Sequence, residues 1–492
     1  MIFDANQLPS GTRLECDVCI IGGGVAGIVL ALTLSRNSAL KIVIAEGGGF
    51  DSDPFSTALY TGEADPADYP AMHKSRLRYL GGSSNHWGGW TLPLRASDFA
   101  PREFLPRSGW PITRESLARY DAEASRWLQL NGDTHDTAFW LNHSDDFQPL
   151  HAPDMVTDIY RLSPPTRFGE AYRQQLKDAE NIYLMLHANA VDLVAHENAR
   201  AARQLVCMNQ TSRRFEIAAS QYVLAAGGIE NPRLMLNFRS FHRDGLGNEH
   251  GNVGRYFSDH VGFRFSQAVI DGYAGRRPLY DPVVGFTDRR DGAHRLVGGM
   301  SFSDAYSSAN GLRNTGFLFQ FRGPLDESGL AELPQSMAGN AGNDPGLVDV
   351  FMGVEQAPNR DSRVSLVRDK DLLGMNKAEL DFRLDKSDAE AVNASADHFA
   401  RVFSASGLGR VKLEQGFWPP KAPEYGSHHM GTTRMSLDPR DGVVDPDCRV
   451  HGVDNVFVAG SSVFPTYGYA QPTWTIVCLA LRLAETLGGD VS

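Results

Sequence analysis

Cys19-Ile20-Ile21-Gly22-Gly23-Gly24-Val25-Ala26-Gly27 stands near the start of the chain, and Glu46 lies 19 residues beyond Gly27 (46 minus 27). The apolar run at 18–21 predicts a buried strand, 26–35 a helix and 41–45 a second strand. An acid after a second strand completes the layout of a dinucleotide site. Gly22 permits the sharp turn after the strand. Gly24 lacks a Cβ, so a pyrophosphate can approach the backbone, with Val25 and Ala26 opening the helix beside it. Gly27 lets the helix lie close to the sheet. The helix N-terminus favours an anion, and Glu46 can bind ribose hydroxyls. A glycine-rich helix start without a ligand would leave Glu46 unexplained.

The 492 residues allow two or three domains and a large core. Hydrophobic residues at 42% and charged residues at 22% suit a soluble enzyme. A formal net charge of -12 argues against nucleic acid, whose phosphates need a basic surface. Residues 1–14 are polar and show no signal-peptide pattern, so a cytoplasmic location is expected. The apolar run at 475–483 is short and contains Arg482, which predicts a buried helix and no membrane span. Five cysteines make no disulfide framework, and no metal site is expected. Cys16 and Cys19 are three apart on a predicted strand, so alternation puts them on opposite faces.

Further along, 77–90 reads as a Gly/Ser-rich loop and 110–128 as helical after Pro111. A strand pair is expected at 182–194, a buried strand at 221–226 and a helix at 231–236. Alternation within 280–372 predicts a second sheet. Residues 388–403 form an amphipathic helix. Chemistry-bearing residues return from Gly426, and the chain ends in a helix after Pro472. This order implies interleaving, with a substrate crevice between the parts.

Three further motifs carry a resemblance. They are Leu80-Gly81-Gly82-Ser83-Ser84-Asn85-His86-Trp87-Gly88-Gly89, then Ala225-Ala226-Gly227-Gly228-Ile229-Glu230-Asn231-Pro232-Arg233-Leu234, then the C-terminal run. That run goes from His428-His429-Met430-Gly431-Thr432 through Ala459-Gly460-Ser461-Ser462 to Gln471-Pro472-Thr473. Together they resemble the glucose-methanol-choline (GMC) oxidoreductases, most of all the bacterial branch with pyranose oxidases and C-glycoside 3-oxidases. The resemblance implies an α/β fold. A Rossmann-like FAD-binding domain (1–95, 165–262 and 425–492) would interleave with an α+β substrate domain (96–164 and 263–424) on a mostly antiparallel sheet. It implies FAD rather than NAD, and oxidation of a CH-OH group in a sugar, glycoside or cyclic polyol.

The resemblance implies His428 as the base, with His429 as the alternative; adjacent residues should point different ways. A histidine suits the task because its unperturbed pKa is about 6.5. Where the family usually has His or Asn before Pro-Thr, this chain has Gln471, which can hold a hydroxyl but cannot act as a base. FAD contacts are expected from Gly82, Ser83, Asn85, His86, Val191 (beside the adenine), Ala226, Gly227, Gly460, Ser461, Pro472 and Thr473. His86 stands where related pyranose oxidases carry a covalently linked histidine, and both covalent and noncovalent flavin are open. Asp259 and His260 match a family crossover, with a structural role or a place at the substrate entrance. Trp474 either shapes the site or is core, and Tyr306, Phe317 and Phe319 are candidates for stacking on sugars. The electron acceptor would be oxygen, a quinone or a protein. A flavin-containing lyase, a non-sugar alcohol oxidase or dehydrogenase, and a homo-oligomer stay open.

Overall fold

The computed structural model describes residues 1–65, 69–130, 132, 134–142, 147–283, 286–287, 295–339, 342–413 and 424–488. Strand Arg13–Ile21 ends in four buried residues, Val18 to Ile21, and feeds helix Val25–Leu34 and strand Ile42–Ala45. These lie in an eight-stranded sheet with the spatial order Ile2–Asp4, Ile182–Leu186, Ile42–Ala45, Arg13–Ile21, Arg214–Leu224, Ala202–Met208, Asn189–Ala195. Val456–Val458 also pairs with Arg214–Leu224. The pairs from Ile2–Asp4 through Arg214–Leu224 are parallel, and the last two in the order are antiparallel. Strands buried on both faces read as continuous apolar runs, which is why 18–21 and 42–45 were legible.

Two expectations change. The segment 182–194 forms two strands of this sheet, but they lie at its two flanks and pair with different neighbours. His187 at φ 57° turns the chain between them. Cys16 and Cys19 do not diverge as strict alternation would have them: Cys16 stands near enough that, with burial, it raises the Cys19 pKa well above its ordinary value, while the Cys16 thiol itself donates to Ala218 O at 3.8 Å. The cause is a kink. The N–H groups of both Asp17 and Val18 donate to the Lys41 carbonyl, at 2.9 and 3.2 Å, and this breaks the alternation. All five cysteines are free.

A nine-stranded antiparallel sheet has the order Gly409–Leu413, Val261–Ile270, Gly346–Val354, Thr315–Pro324, Arg295–Phe302, Met155–Leu162, Trp90–Thr91, with two short strands off its path. Helix Lys386–Ala405, capped by Asp385 and Asp388, packs Phe399 and Phe403 onto Phe265, Phe317 and Phe319. Each such aromatic side chain contributes about 1.5–3 kcal/mol on burial. A three-stranded sheet links Glu63–Ala64 to the hairpin Arg363–Lys370 and Asn376–Asp381.

Strands of the two large sheets alternate along the chain. The C-terminal helix, Thr473–Gly488, returns to pack against Val25–Leu34. Thus residues 473–488 sit beside residues 25–34. Among the described residues, no helix is long and apolar enough to cross a membrane, and no group of three or more His, Cys, Asp or Glu could hold a metal ion.

Candidate active site

A cavity of about 770 Å³ runs between the two large sheets. One wall is the glycine turn. The Gly22 N–H donates to Ala45 O at 2.9 Å, and Gly22 has φ 109°. A Cβ on Gly27 would stand 2.1 Å from the Gly22 carbonyl, so only glycine lets the helix start there. Gly22, Gly24, Val25 and Ala26 border the cavity. Glu46 is buried, and its two carboxylate oxygens accept from the Gly23 and Gly48 N–H groups, each at 2.7 Å. A carboxylate has about four acceptor positions, so capacity remains for ribose hydroxyls.

Gly82, Ser83 and His86 border the cavity from the short helical loop, and Ala226, Gly227, Gly460, Ser461, Pro472 and Thr473 from the other two motifs. Gly227 and Gly460 have φ 88° and 106°, and a Cβ on either would meet no protein atom within 4 Å. That makes an open cradle of bare backbone, which fits an extended dinucleotide with its pyrophosphate at a helix start.

Three residues expected at the cofactor do not border the cavity. The Asn85 amide donates to Leu80 O at 2.9 Å, holding its own loop together instead of bordering the cavity. Val191 packs into the core, because along its strand the alternate residue Ala190, with Ala188, borders the cavity. Gly27 acts by close packing and does not border the cavity.

The expected catalytic residues border the same cavity. His428, His429 and Gln471 border the cavity. Both histidines border it, against the expectation that adjacent residues diverge, since the segment is not a regular strand: Ser427 sits at φ 54°. Asp259 secures that unusual backbone. It is fully buried; Oδ1 accepts from the N–H groups of His260 and His428, both at 2.7 Å, and Oδ2 from Ser427 N–H at 3.1 Å and the Tyr69 hydroxyl at 2.6 Å. Burial raises the Asp259 pKa to about 6, outweighing these bonds. Ser258 and Met430 exchange two backbone bonds, 3.1 and 3.0 Å, which aligns 256–260 with 428–432. Gly228 brings in a third segment: a Cβ there would stand 2.2 Å from His429 O, and Thr432 Oγ1 donates to Gly228 O at 2.6 Å.

The His428 ring is paired with His260, Nδ1 to Nδ1, at 2.8 Å, and His260 Nε2 lies 3.1 Å from the Gly468 carbonyl. Burial, with His260 and His429 nearby, holds the His428 pKa well below its ordinary value. Burial brings His260 down to about 4 and, with Arg76 and His86 near it, His429 down to about 3. His429 packs against Tyr69 and Phe257, and its Nε2 is buried. Among the described residues neither that atom nor Gln471 Oε1, also buried, has a partner. Buried polar atoms without partners at a cavity wall mark a place for a ligand.

Other residues escaped the sequence reading. Arg76 and Arg78 border the cavity and pair with Glu230 at 3.1 and 3.5 Å, and Arg233 joins at 2.7 Å. Burial would raise Glu230, but the three guanidiniums prevail and bring it down to about 2. Tyr60, Lys74, Trp87, Trp90, Leu318 and Glu424 border the cavity too. No spacing rule groups them; only the alternating charges at 74–78 were a signal. Phe317 and Phe319 are core, whereas Leu318 between them faces the cavity. Tyr306 hydrogen-bonds His398 and does not border it. Trp474 is also core: it is 1% exposed and donates to Asp121 Oδ1 at 3.2 Å.

The family model described as GMC oxidoreductase matches residues 358–480. The chain is 30% identical to 2-methyl-1,2-propanediol dehydrogenase of Mycolicibacterium austroafricanum over 96% of its own length and 95% of that protein's. This chain belongs to the GMC oxidoreductase family. As a family member it is an FAD-dependent oxidoreductase acting on CH-OH groups. It is 25% identical to a C-glycoside 3-oxidase of Microbacterium trichothecenolyticum over 63% of this chain and 55% of the other. Its fold is that of pyridoxine 4-oxidase from Mesorbium loti, with TM-score 0.56 at 20% identity, covering 96% of this chain and 99% of that one.

Proposed function

We propose that the chain oxidises a secondary CH-OH group of a sugar, glycoside or related cyclic polyol to a ketone, with His428 as base and Gln471 holding the oxygen. One observation carries the reading: His428 and Gln471 border the same cavity as the glycine turn. The glycoside relative supports the substrate class, and the diol relative supports reaction at hydroxyl-bearing carbons more broadly.

FAD, when bound, supplies the acceptor for a hydride. Gly22, Gly24, Val25 and Ala26 would hold its pyrophosphate, and Glu46 its ribose. Gly82, Ser83, His86, Ala226, Gly227, Gly460, Ser461, Pro472 and Thr473 would surround the rest. We read His86 as a noncovalent contact; yellow colour left in solution after acid precipitation supports that. The division into a discontinuous cofactor domain (1–95, 165–262, 425–492) and a substrate domain (96–164, 263–424) is part of the proposal. So are a cytoplasmic location and an acceptor among oxygen, a quinone and a protein.

His428 begins neutral, as a base must, because burial disfavours its charged form. It takes the hydroxyl proton. The oxygen is left alkoxide-like, and its carbon then releases hydride readily. The Gln471 amide steadies that oxygen by donating to it. Trp87, Trp90 and Leu318 keep the site apolar.

The test is anaerobic reduction of the holoenzyme by free sugars, O-glycosides, C-glycosides and simple diols, followed as bleaching at roughly 450 nm, where oxidised flavin absorbs. A sugar or glycoside is expected to bleach fastest. His428→Ala is expected to slow bleaching by about 10²–10⁴-fold; an unchanged rate would sink the base assignment. Turnover without bleaching would instead mean lyase chemistry.

A further inference from the structure

The geometry points to His260 as a positioning residue that decides which nitrogen of His428 carries hydrogen, leaving His428 Nε2 bare as the basic atom. This rests on the reading of His428 as the base. The two rings face each other through Nδ1 atoms 2.8 Å apart, so one Nδ1 must donate and the other accept. Neutral imidazoles have one N–H each, which leaves two arrangements. The Gly468 carbonyl, 3.1 Å from His260 Nε2, selects between them. A carbonyl only accepts, so His260 Nε2 carries hydrogen and His260 Nδ1 is bare. His428 Nδ1 must then donate, and His428 Nε2 has its lone pair free.

The surroundings hold this arrangement. Asp259 Oδ1 accepts from the backbone N–H of both histidines, which ties the rings to one anchor. Gly426 N–H donates to His260 O at 2.8 Å. Tyr467 packs edge-on against the His260 ring, at 5.0 Å between centroids. Burial keeps His260 neutral at ordinary pH. Its role parallels that of the carboxylate in a Ser-His-Asp triad, which also fixes a tautomer by accepting from Nδ1. The partner here is neutral. It orients His428 without adding the negative charge that would raise its pKa.

Two variants separate tautomer control from packing. His260→Asn offers an amide oxygen close to where Nδ1 stood. His260→Phe fills the space with a ring that cannot accept. Both would be studied as FAD-loaded protein by rapid-mixing anaerobic reduction. The Phe variant is expected to lower the limiting rate by about 10- to 10⁴-fold, the upper figure being what a wrong tautomer costs in the triad. Its apparent substrate affinity should stay within about threefold, as for an interaction made only in the transition state. The Asn variant should recover to within about tenfold of the parent rate. A solvent deuterium effect should be larger in the Phe variant than in the parent.

Equal rates for the Phe variant and the parent, with His428→Ala inactive, would overturn the role of His260 and leave the base assignment standing. Equal losses in the Phe and Asn variants would overturn it too. A full rate in His428→Ala would overturn the base assignment itself. Should the Phe variant fail to fold or retain FAD, ¹⁵N-histidine NMR of the parent holoenzyme decides. The signal that His428→Ala removes must show a bare Nε2 and a protonated Nδ1; the reverse pattern refutes the inference.

Discussion

The two walls of the cavity are built by opposite means. The cofactor wall is mostly backbone: a glycine turn, a helix start and one acid within residues 19–46, joined by glycines from 82, 227 and 460. The proposed catalytic wall is side chains from 428–429 and 471, backed by Asp259, His260 and the close approach of Gly228, with a two-bond backbone pairing between 258 and 430 aligning them. The first wall fails when an atom is added. The second fails when a hydrogen-bond partner is removed.

The sharpest way to break the cofactor wall is Gly27→Ala, because its Cβ would stand 2.1 Å from the Gly22 carbonyl. Purified protein should carry little flavin, with activity down more than about 10²-fold and stability down by about 1–3 kcal/mol, as overpacking costs. Gly24→Ala sharpens the contrast. Its nearest protein atom is 4.0 Å away, so urea unfolding should be near normal while FAD affinity falls. Normal flavin content in Gly27→Ala would refute the close-packing argument.

Acid probes the catalytic wall. The folded-state pKa of His260 is depressed to about 4, so the unfolded chain binds its proton first as pH drops below about 6.5. Stability is therefore lost between about 6.5 and 4, and His428 and His429 act in the same direction. Asp259 opposes them: raised to about 6, it binds its proton earlier in the folded state, so stability is gained as pH falls from about 6 to its unfolded value. His260→Asn should remove about 3 kcal/mol of the acid loss, read from urea midpoints at pH 7 and pH 4. Parallel pH dependences for variant and parent would contradict the buried neutral state of His260.

Asp259→Asn tests the anchor. An amide cannot accept on both sides, so the Ser427 N–H loses its partner, at a cost of about 1–3 kcal/mol. Flavin reduction should slow by about tenfold or more as the His428 backbone loosens, with flavin content retained. The smallest effect is expected at Gln471. Gln471→Asn should change kcat/KM by only a few-fold, whereas Gln471→Leu should lower it by about tenfold, the worth of one neutral hydrogen bond. No difference between the two would remove Gln471 from the site.

Legibility followed the same division. The strand, turn, helix and strand at 13–45 were readable because a glycine turn and continuous apolar runs are local signals. Helix Lys386–Ala405 was readable from its 3.6-residue period. The His428 and Gln471 motifs were visible, but the Nδ1 pairing with His260 was not, since the partners are 168 residues apart. Asn85 and Val191 do not border the cavity, because a motif names residues without saying where their side chains end up. The Arg76–Arg78–Glu230–Arg233 cluster was unreadable for a related reason: charges separated by 152 and 154 residues form a network only when packing buries them together.

The sequence by itself determined the cofactor fold, the family and the residues able to do the chemistry, because turns, helix starts and apolar periodicity act over a few residues. Tertiary structure alone decided what pairs with the His428 ring, what secures the Ser427 backbone and which aromatics are core. Those are settled by hydrogen-bond partners and burial, and the partners of His428 and Ser427 come from a segment 168–169 residues away.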